Sequence, residues 1–113
     1  MRKLMPTMAI LCFTTSASAH ALLEHAQPGA GATVPAPRVI ILTYSEQLEP
    51  AFSGASVDDA GGHDVTSAPA AISGATMQIH LHALKPGTYR VTWHAVSTDT
   101  HRTEGSYNFT VAP

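Results

Sequence analysis

The chain has 113 residues, of which 44% are hydrophobic and 12% are charged, and its formal net charge at pH 7 is -2. A chain of this length can bury one modest hydrophobic core but not the cores of two domains. Its few basic residues do not provide the electropositive surface that nucleic acid requires, so no nucleic-acid partner is expected.

Residues 1–19 have the layout of a secretory signal peptide. A basic start is followed by a mostly apolar stretch over residues 5–13 and by the small-residue cleavage pattern Ala17-Ser18-Ala19. The apolar stretch is shorter than the roughly 20 residues that cross a bilayer. We therefore expect a cleaved leader at 1–19 and a single exported, periplasmic domain at 20–113. A buried N-terminal helix is the alternative, and it fits the basic start and the cleavage pattern poorly.

The single cysteine, Cys12, falls inside this leader. The exported domain would therefore contain neither a disulfide nor a thiolate ligand for a metal, despite its oxidising compartment. All 7 histidines of the chain follow the expected cleavage site, which is an unusual number for so short a domain.

Alternation of apolar and polar residues predicts β-strands in the expected domain. The predicted strands include residues 38–44, 76–84, 89–96 and 105–111. Turn-rich stretches lie between them, of which residues 67–74 are predicted to form a surface loop, and no segment shows helical periodicity. We predict an all-β fold: a single Greek-key β-sandwich or barrel of about seven strands, immunoglobulin-like or cupredoxin-like.

Cleavage after Ala19 would make His20 the new amino terminus. Its free α-amine and its Nδ1 can bind one metal ion together, which closes a six-membered chelate ring. The pKa of an α-amine is about 8, against about 10.4 for lysine, so the amine gives up its proton to a metal more readily near neutral pH. An internal histidine cannot supply this pair of ligands.

Two further candidates for metal binding occur later in the chain. Asp99-Thr100-His101 follows the strand at 89–96, and a carboxylate and an imidazole two residues apart can point the same way from an extended segment. Spacing alone also allows Asp99 to be a turn residue and His101 to be solvated. Glu46, after the strand at 38–44, is by itself an ordinary surface carboxylate.

Several short motifs follow one another in a specific order along the expected domain. They are His20, Pro28 with the Gly-rich turn after it, Tyr44-Ser45-Glu46, Phe52-Ser53-Gly54, Leu84-Lys85-Pro86-Gly87-Thr88-Tyr89, Trp93-His94-Ala95-Val96-Ser97-Thr98-Asp99-Thr100-His101 and Gly105-Ser106-Tyr107-Asn108-Phe109. In this order and spacing they resemble the CopC family of periplasmic copper-binding proteins. The resemblance covers nearly all of residues 20–113 and implies a Greek-key β-sandwich or barrel, which agrees with the predicted strands.

The resemblance also implies a site for one Cu(II) ion. His20 would chelate the ion through its amine and imidazole, Asp99 and His101 would complete the site, and Glu46 would be a nearby ligand or a group behind the ligands. Three nitrogens and one oxygen in a plane suit the tetragonal preference of Cu(II). The implied role is a copper carrier or buffer in copper resistance or homeostasis, with an inner-membrane copper protein of the CopD type as a partner.

Some members of that family carry a separate, methionine-rich Cu(I) site after the Phe-Ser-Gly motif. Residues 55–64 of this chain contain no methionine, and Met77 is the only one after the leader. Cu(I) prefers thioether and thiolate ligands, so no dedicated Cu(I) site is expected. Met77 is predicted to pack in the core, and His63 to be an ordinary turn residue.

Two other functions stay open on the sequence. A histidine chelate of this kind also occurs in copper oxygenases that attack polysaccharides, but this chain has one tryptophan and no aromatic strip for sugar rings. The other alternative is a metal-free sandwich with an interaction role. It would not explain the position of His20 or the Asp99–His101 motif. We therefore expect a binding protein and not an enzyme.

Overall fold

The computed structural model describes residues 21–113, so the predicted leader and His20 lie outside the described residues. Eight strands make up the regular structure of this part of the chain. They are β1 (Leu23–Gln27), β2 (Thr33–Val34), β3 (Val39–Tyr44), β4 (Gly54–Asp58), β5 (Ala71–Ser73), β6 (Thr76–His80), β7 (Gly87–Val96) and β8 (Arg102–Val111). None of the described residues belongs to a helix long and apolar enough for a membrane span.

The strands form two four-stranded sheets, in the orders β1-β3-β6-β5 and β2-β8-β7-β4. The longest pair is β7 with β8, which is antiparallel and runs in register from Gly87 opposite Val111 to Val96 opposite Arg102. β2 joins the other side of β8 in parallel. The connection between β7 and β8 therefore lies at the end of a long, regular hairpin, and it contains Asp99 and His101.

The two sheets pack through the alternating apolar residues that the sequence pattern predicts. The buried side chains include Ile40, Leu42, Met77, Ile79, Tyr89, Val91, Trp93, Ala95 and Phe109. Full burial of a large apolar side chain contributes about 1.5–3 kcal/mol, so these residues are the main source of stability in a domain without a disulfide. Met77 is completely buried between the sheets, as predicted.

The all-β sandwich is confirmed, with eight strands where about seven were expected. β5 (Ala71–Ser73) lies in the stretch predicted to be a surface loop, because three residues are too few to show alternation. β6 ends at His80 and not at residue 84, since Leu81 forms only an isolated bridge to Thr66. β8 begins at Arg102, three residues before its predicted start, because its first residues pair with β7 despite their polar side chains.

Candidate metal centre

The loop between β7 and β8 closes tightly around Asp99. The Ser97 N–H donates to the His101 carbonyl at 3.0 Å, and the Thr100 N–H donates to the Ser97 carbonyl at 2.9 Å. Thr100 has a φ of 75°, a left-handed conformation that is uncommon for a β-branched residue. A turn followed by one left-handed residue is a common three-residue hairpin connection, which here fixes the positions of Asp99 and His101 relative to the two strands.

Within this loop the side chains of Asp99 and His101 contact each other. Asp99 Oδ2 lies 3.0 Å from His101 Nδ1. The other carboxylate oxygen, Oδ1, accepts hydrogen bonds from the Ser97 hydroxyl and, at 3.3 Å, from the His101 N–H. The Asp99 and His101 side chains are 34% and 58% exposed, so the pair is accessible to an ion from solvent.

These hydrogen bonds favour the ionised form of Asp99. The Ser97 hydroxyl makes the largest contribution and the His101 side chain the next, and together with the other contacts they lower the pKa of Asp99 to about 2. Asp99 is therefore a carboxylate throughout the neutral range. A carboxylate must be in this form before it can bind a metal ion.

The first described residues are held beside the start of β8 and the end of β3. Ala21 is fully buried, and its carbonyl accepts a hydrogen bond from Thr103 Oγ1 at 2.6 Å. The Leu22 N–H donates to Ser45 Oγ at 2.9 Å, and the Leu22 carbonyl accepts from the Ser45 N–H at 2.8 Å. The segment that precedes β1 is thus attached close to the loop between β7 and β8.

Glu46 is exposed in the turn after β3, directly after Ser45. No group of three or more His, Cys, Asp or Glu side chains within residues 21–113 is arranged to hold a metal ion. The described structure therefore brings Asp99 and His101 together as a pair, and Glu46 does not join them. His20, the remaining predicted ligand, lies outside the described residues.

Other histidines make contacts elsewhere in the described structure. His63 Nδ1 lies 3.3 Å from Asp59 Oδ1, which also accepts from the N–H groups of Gly61 and His63 at 2.9 Å, so His63 lies in a turn, as predicted, and Asp59 stabilises that turn. The His94 ring lies over Gly54, where an added Cβ would be only 3.2 Å from its Cε1.

Sequence reasoning assigned no role to three hydroxyl groups near the candidate ligands. Ser97 is 1% exposed and contacts Asp99, and a serine two residues before an aspartate was the signal available in the sequence. Thr103 and Ser45 hold the segment at Ala21 and Leu22 across separations of 82 and 23 residues. Contacts between residues so far apart leave no local pattern in a sequence.

Comparison with known proteins identifies a common family. The CopC domain family matches residues 23–112. Protein YobA of Escherichia coli (strain K12) is 40% identical over an alignment of length 118, and the alignment covers 97% of this chain and 95% of YobA. Copper resistance protein C of Escherichia coli is 41% identical over 106 residues, covering 85% and 84% of the two chains. The crystal structure of PcoC, a methionine-rich copper resistance protein from Escherichia coli, superposes with a TM-score of 0.73 at 39% identity, over 82% of this chain and 99% of PcoC.

Proposed function

Since this chain belongs to the CopC family, whose members include copper resistance proteins, we propose that it is a periplasmic Cu(II) carrier or buffer. Copper binding is the role that membership of the family implies. The proposal adds the oxidation state, one ion per chain and a set of ligands. These ligands are the amine and Nδ1 of His20, the carboxylate of Asp99 and the imidazole of His101.

The anchoring of Ala21 is the observation that carries this ligand set. Its carbonyl oxygen lies 2.6 Å from Oγ1 of Thr103, and Thr103 comes two residues after His101. A peptide bond joins residue 20 to Ala21, and consecutive Cα atoms across a trans peptide are about 3.8 Å apart. An amino terminus created by cleavage after Ala19 would therefore begin close to the loop that carries Asp99 and His101.

The contact between Asp99 and His101 supports their assignment as neighbouring ligands. Histidine and carboxylate ligands bind a metal such as zinc at about 2.0 Å, and two such bonds at a right angle place the ligand atoms about 2.8 Å apart. The 3.0 Å between Asp99 Oδ2 and His101 Nδ1 is close to that separation. With both nitrogens of His20, the pair would supply the three nitrogens and one oxygen that suit Cu(II).

We assign Glu46 a supporting position, as a nearby ligand or a group behind the ligands. Support comes from its neighbour Ser45, which forms two hydrogen bonds with Leu22. Leu22 lies two residues after His20. Glu46 is thus attached close to the expected amino terminus. Leu48, two residues after Glu46, forms an isolated bridge with Ser97 in the loop that carries Asp99.

We propose Cu(II) as the cargo, without a dedicated site for Cu(I). Met77 is the single methionine after residue 19, and its side chain is completely buried between the sheets. A thioether in that position cannot reach an ion at the surface without disruption of the core. The related PcoC, by contrast, is a methionine-rich protein.

A carrier fits the described surface better than an oxygenase does. Among the aromatic residues of the described part of the chain, Phe52 is the one with a largely exposed side chain, at 65%. A single exposed ring does not make a platform for the sugar rings of a polysaccharide. We therefore propose no catalytic role, and an inner-membrane copper protein of the CopD type as the recipient of the ion.

Electron paramagnetic resonance of the Cu(II)-loaded domain with its start at His20 tests this proposal. The wild type should show one copper ion per chain with couplings to nitrogen ligands. His20→Ala and His101→Ala should each lose nitrogen couplings, whereas His63→Ala, in a turn with Asp59, should retain the wild-type spectrum. Unchanged nitrogen couplings in His101→Ala would show that His101 is not a ligand of the copper ion.

A further inference from the structure

Ser97 is the one polar residue among the fully buried side chains of the described structure, at 1% exposure. Its backbone already has partners, because its N–H donates to the His101 carbonyl and its carbonyl accepts from the Thr100 N–H. Closure of the loop therefore does not require the hydroxyl group. The role of that hydroxyl has to be found in its own contacts.

The hydroxyl of Ser97 has two contacts, one of them with the carboxylate of Asp99. It donates to Asp99 Oδ1, and its other contact is with the His101 carbonyl oxygen at 3.4 Å. Asp99 Oδ1 also accepts from the His101 N–H at 3.3 Å. Two donors therefore engage Oδ1, while Oδ2 faces His101 Nδ1 at 3.0 Å.

We propose that Ser97 is a positioning residue of the copper site, whose buried hydroxyl holds Asp99 Oδ1 so that only Oδ2 is presented to the ion beside His101. This inference rests on the proposed function. Asp99 would then bind the ion through a single oxygen, Oδ2. The orientation of its carboxylate would be fixed by a buried residue of the sandwich and not by the metal. A partner that orients a ligand in this way typically changes metal affinity by about 10–100-fold when it is removed.

The chain offers a closely matched control for the removal of this hydroxyl. Ser53 Oγ accepts from the Val96 N–H at 2.9 Å and contacts the Val96 carbonyl at 3.4 Å, so it also stabilises the end of β7. Ser53→Ala and Ser97→Ala each delete one hydroxyl from the same end of the sandwich. Only Ser97→Ala removes a contact with Asp99.

Competition titrations with a Cu(II) chelator, together with electron paramagnetic resonance, measure the effect. Ser97→Ala should bind Cu(II) about 10-fold or more weakly, with a spectrum shifted toward that of Asp99→Asn. Ser53→Ala should stay within about twofold of the wild type. Because Ser97 acts through Asp99, the double variant Ser97→Ala/Asp99→Asn should bind no more weakly than Asp99→Asn alone.

Two further measurements keep the inference separate from effects on folding. Thermal unfolding of the metal-free variants shows whether both alanine variants retain the fold. If Ser97→Ala does not fold, Ser97→Thr tests the role of the hydroxyl instead, because it keeps that group. Its affinity for Cu(II) should be within about twofold of that of the wild type. In the metal-free protein, the carboxyl ¹³C signal of Asp99 should move in Ser97→Ala and stay in Ser53→Ala.

The outcomes distinguish this inference from the proposed function. A folded Ser97→Ala with wild-type affinity, spectrum and Asp99 carboxyl signal would overturn the role of Ser97 and leave the copper site intact. Folded Ser97→Thr with a tenfold loss of affinity would overturn it as well. A wild-type domain that binds no Cu(II) would overturn the proposed function first, and with it a positioning role toward copper.

Discussion

Asp99 Oδ2 and His101 Nδ1 lie 3.0 Å apart in the loop that joins the two longest strands of the sandwich. The loop is closed by backbone hydrogen bonds of Ser97, and it includes a left-handed residue, Thr100. The pair is therefore arranged by the hairpin itself.

Asp99→Asn replaces a negatively charged oxygen ligand with a neutral amide, so it should weaken Cu(II) binding by at least the roughly tenfold that loss of a group behind a ligand costs. Asp59→Asn is the matched control, since Asp59 also contacts a histidine, His63, through Oδ1 at 3.3 Å. The control should leave the affinity unchanged. Isothermal titration against a competing chelator compares the two, and equal losses in both variants would contradict the assignment of Asp99.

Tyr44→Phe should leave the free energy of unfolding unchanged or raise it by about 1 kcal/mol. The Tyr44 hydroxyl is buried and has no hydrogen-bond partner among the described residues, so its removal relieves a desolvation cost. The ring keeps its edge-on contact with Trp93, whose centroid is 5.2 Å away. Urea unfolding measures the change.

Tyr107→Phe provides the contrast to that substitution. Its hydroxyl donates to the Pro28 carbonyl at 2.9 Å, so its loss should destabilise the domain by about 1 kcal/mol. A destabilised Tyr44→Phe together with an unaffected Tyr107→Phe would contradict both assignments.

Stability should fall as the pH rises above about 10. Burial raises the pKa of Tyr107 to about 12, and burial followed by the charge of Tyr107 raises the pKa of Tyr44 further, whereas both titrate near 10 in the unfolded chain. The unfolded chain therefore loses these protons first, and the stabilisation is complete below pH 10 and lost as the pH rises toward 12. Urea midpoints from pH 8 to 12 measure it, and Tyr107→Phe should show a shallower decline. An equally steep decline in that variant would assign the effect to other groups.

Gly105→Ala should destabilise the domain by about 1–3 kcal/mol through overpacking. A Cβ at position 105 would lie 2.7 Å from Cζ2 of Trp93, inside the core. Gly29→Ala is the control, because its Cβ would make only an ordinary contact of 3.6 Å with the Ala26 carbonyl. Thermal unfolding of the two variants should differ by several degrees, and equal midpoints would show that the indole ring moves aside at little cost.

The sandwich fold could be predicted from the sequence because strands buried on one face have alternating apolar and polar residues. β3, β6 and β7 follow this pattern through residues such as Ile40, Met77 and Val91, which the structure buries completely. β2, with two residues, and β5, with three, are too short to carry such a signal. Their positions come from pairing with longer neighbours, which single-sequence patterns do not contain.

The candidate site could be predicted only in part from the sequence. Asp99 and His101 share one loop, so their spacing predicts that the two side chains can meet, and the structure brings them into contact. The roles of Ser97 and Thr103 depend on burial and on a hydrogen bond between distant segments. Those contacts follow from the packing of the two sheets and could not be read from spacing.

The affinity of the exported domain for Cu(II), measured with and without one extra glycine ahead of His20, tests the central claim most directly. Mass spectrometry first establishes the amino terminus of each preparation, and a glycine added after Pro113 serves as the control. We predict severe weakening by the glycine ahead of His20, because the α-amine then no longer belongs to the histidine, and no change with the control. Equal affinity in all three proteins would contradict a copper site built on the amino terminus.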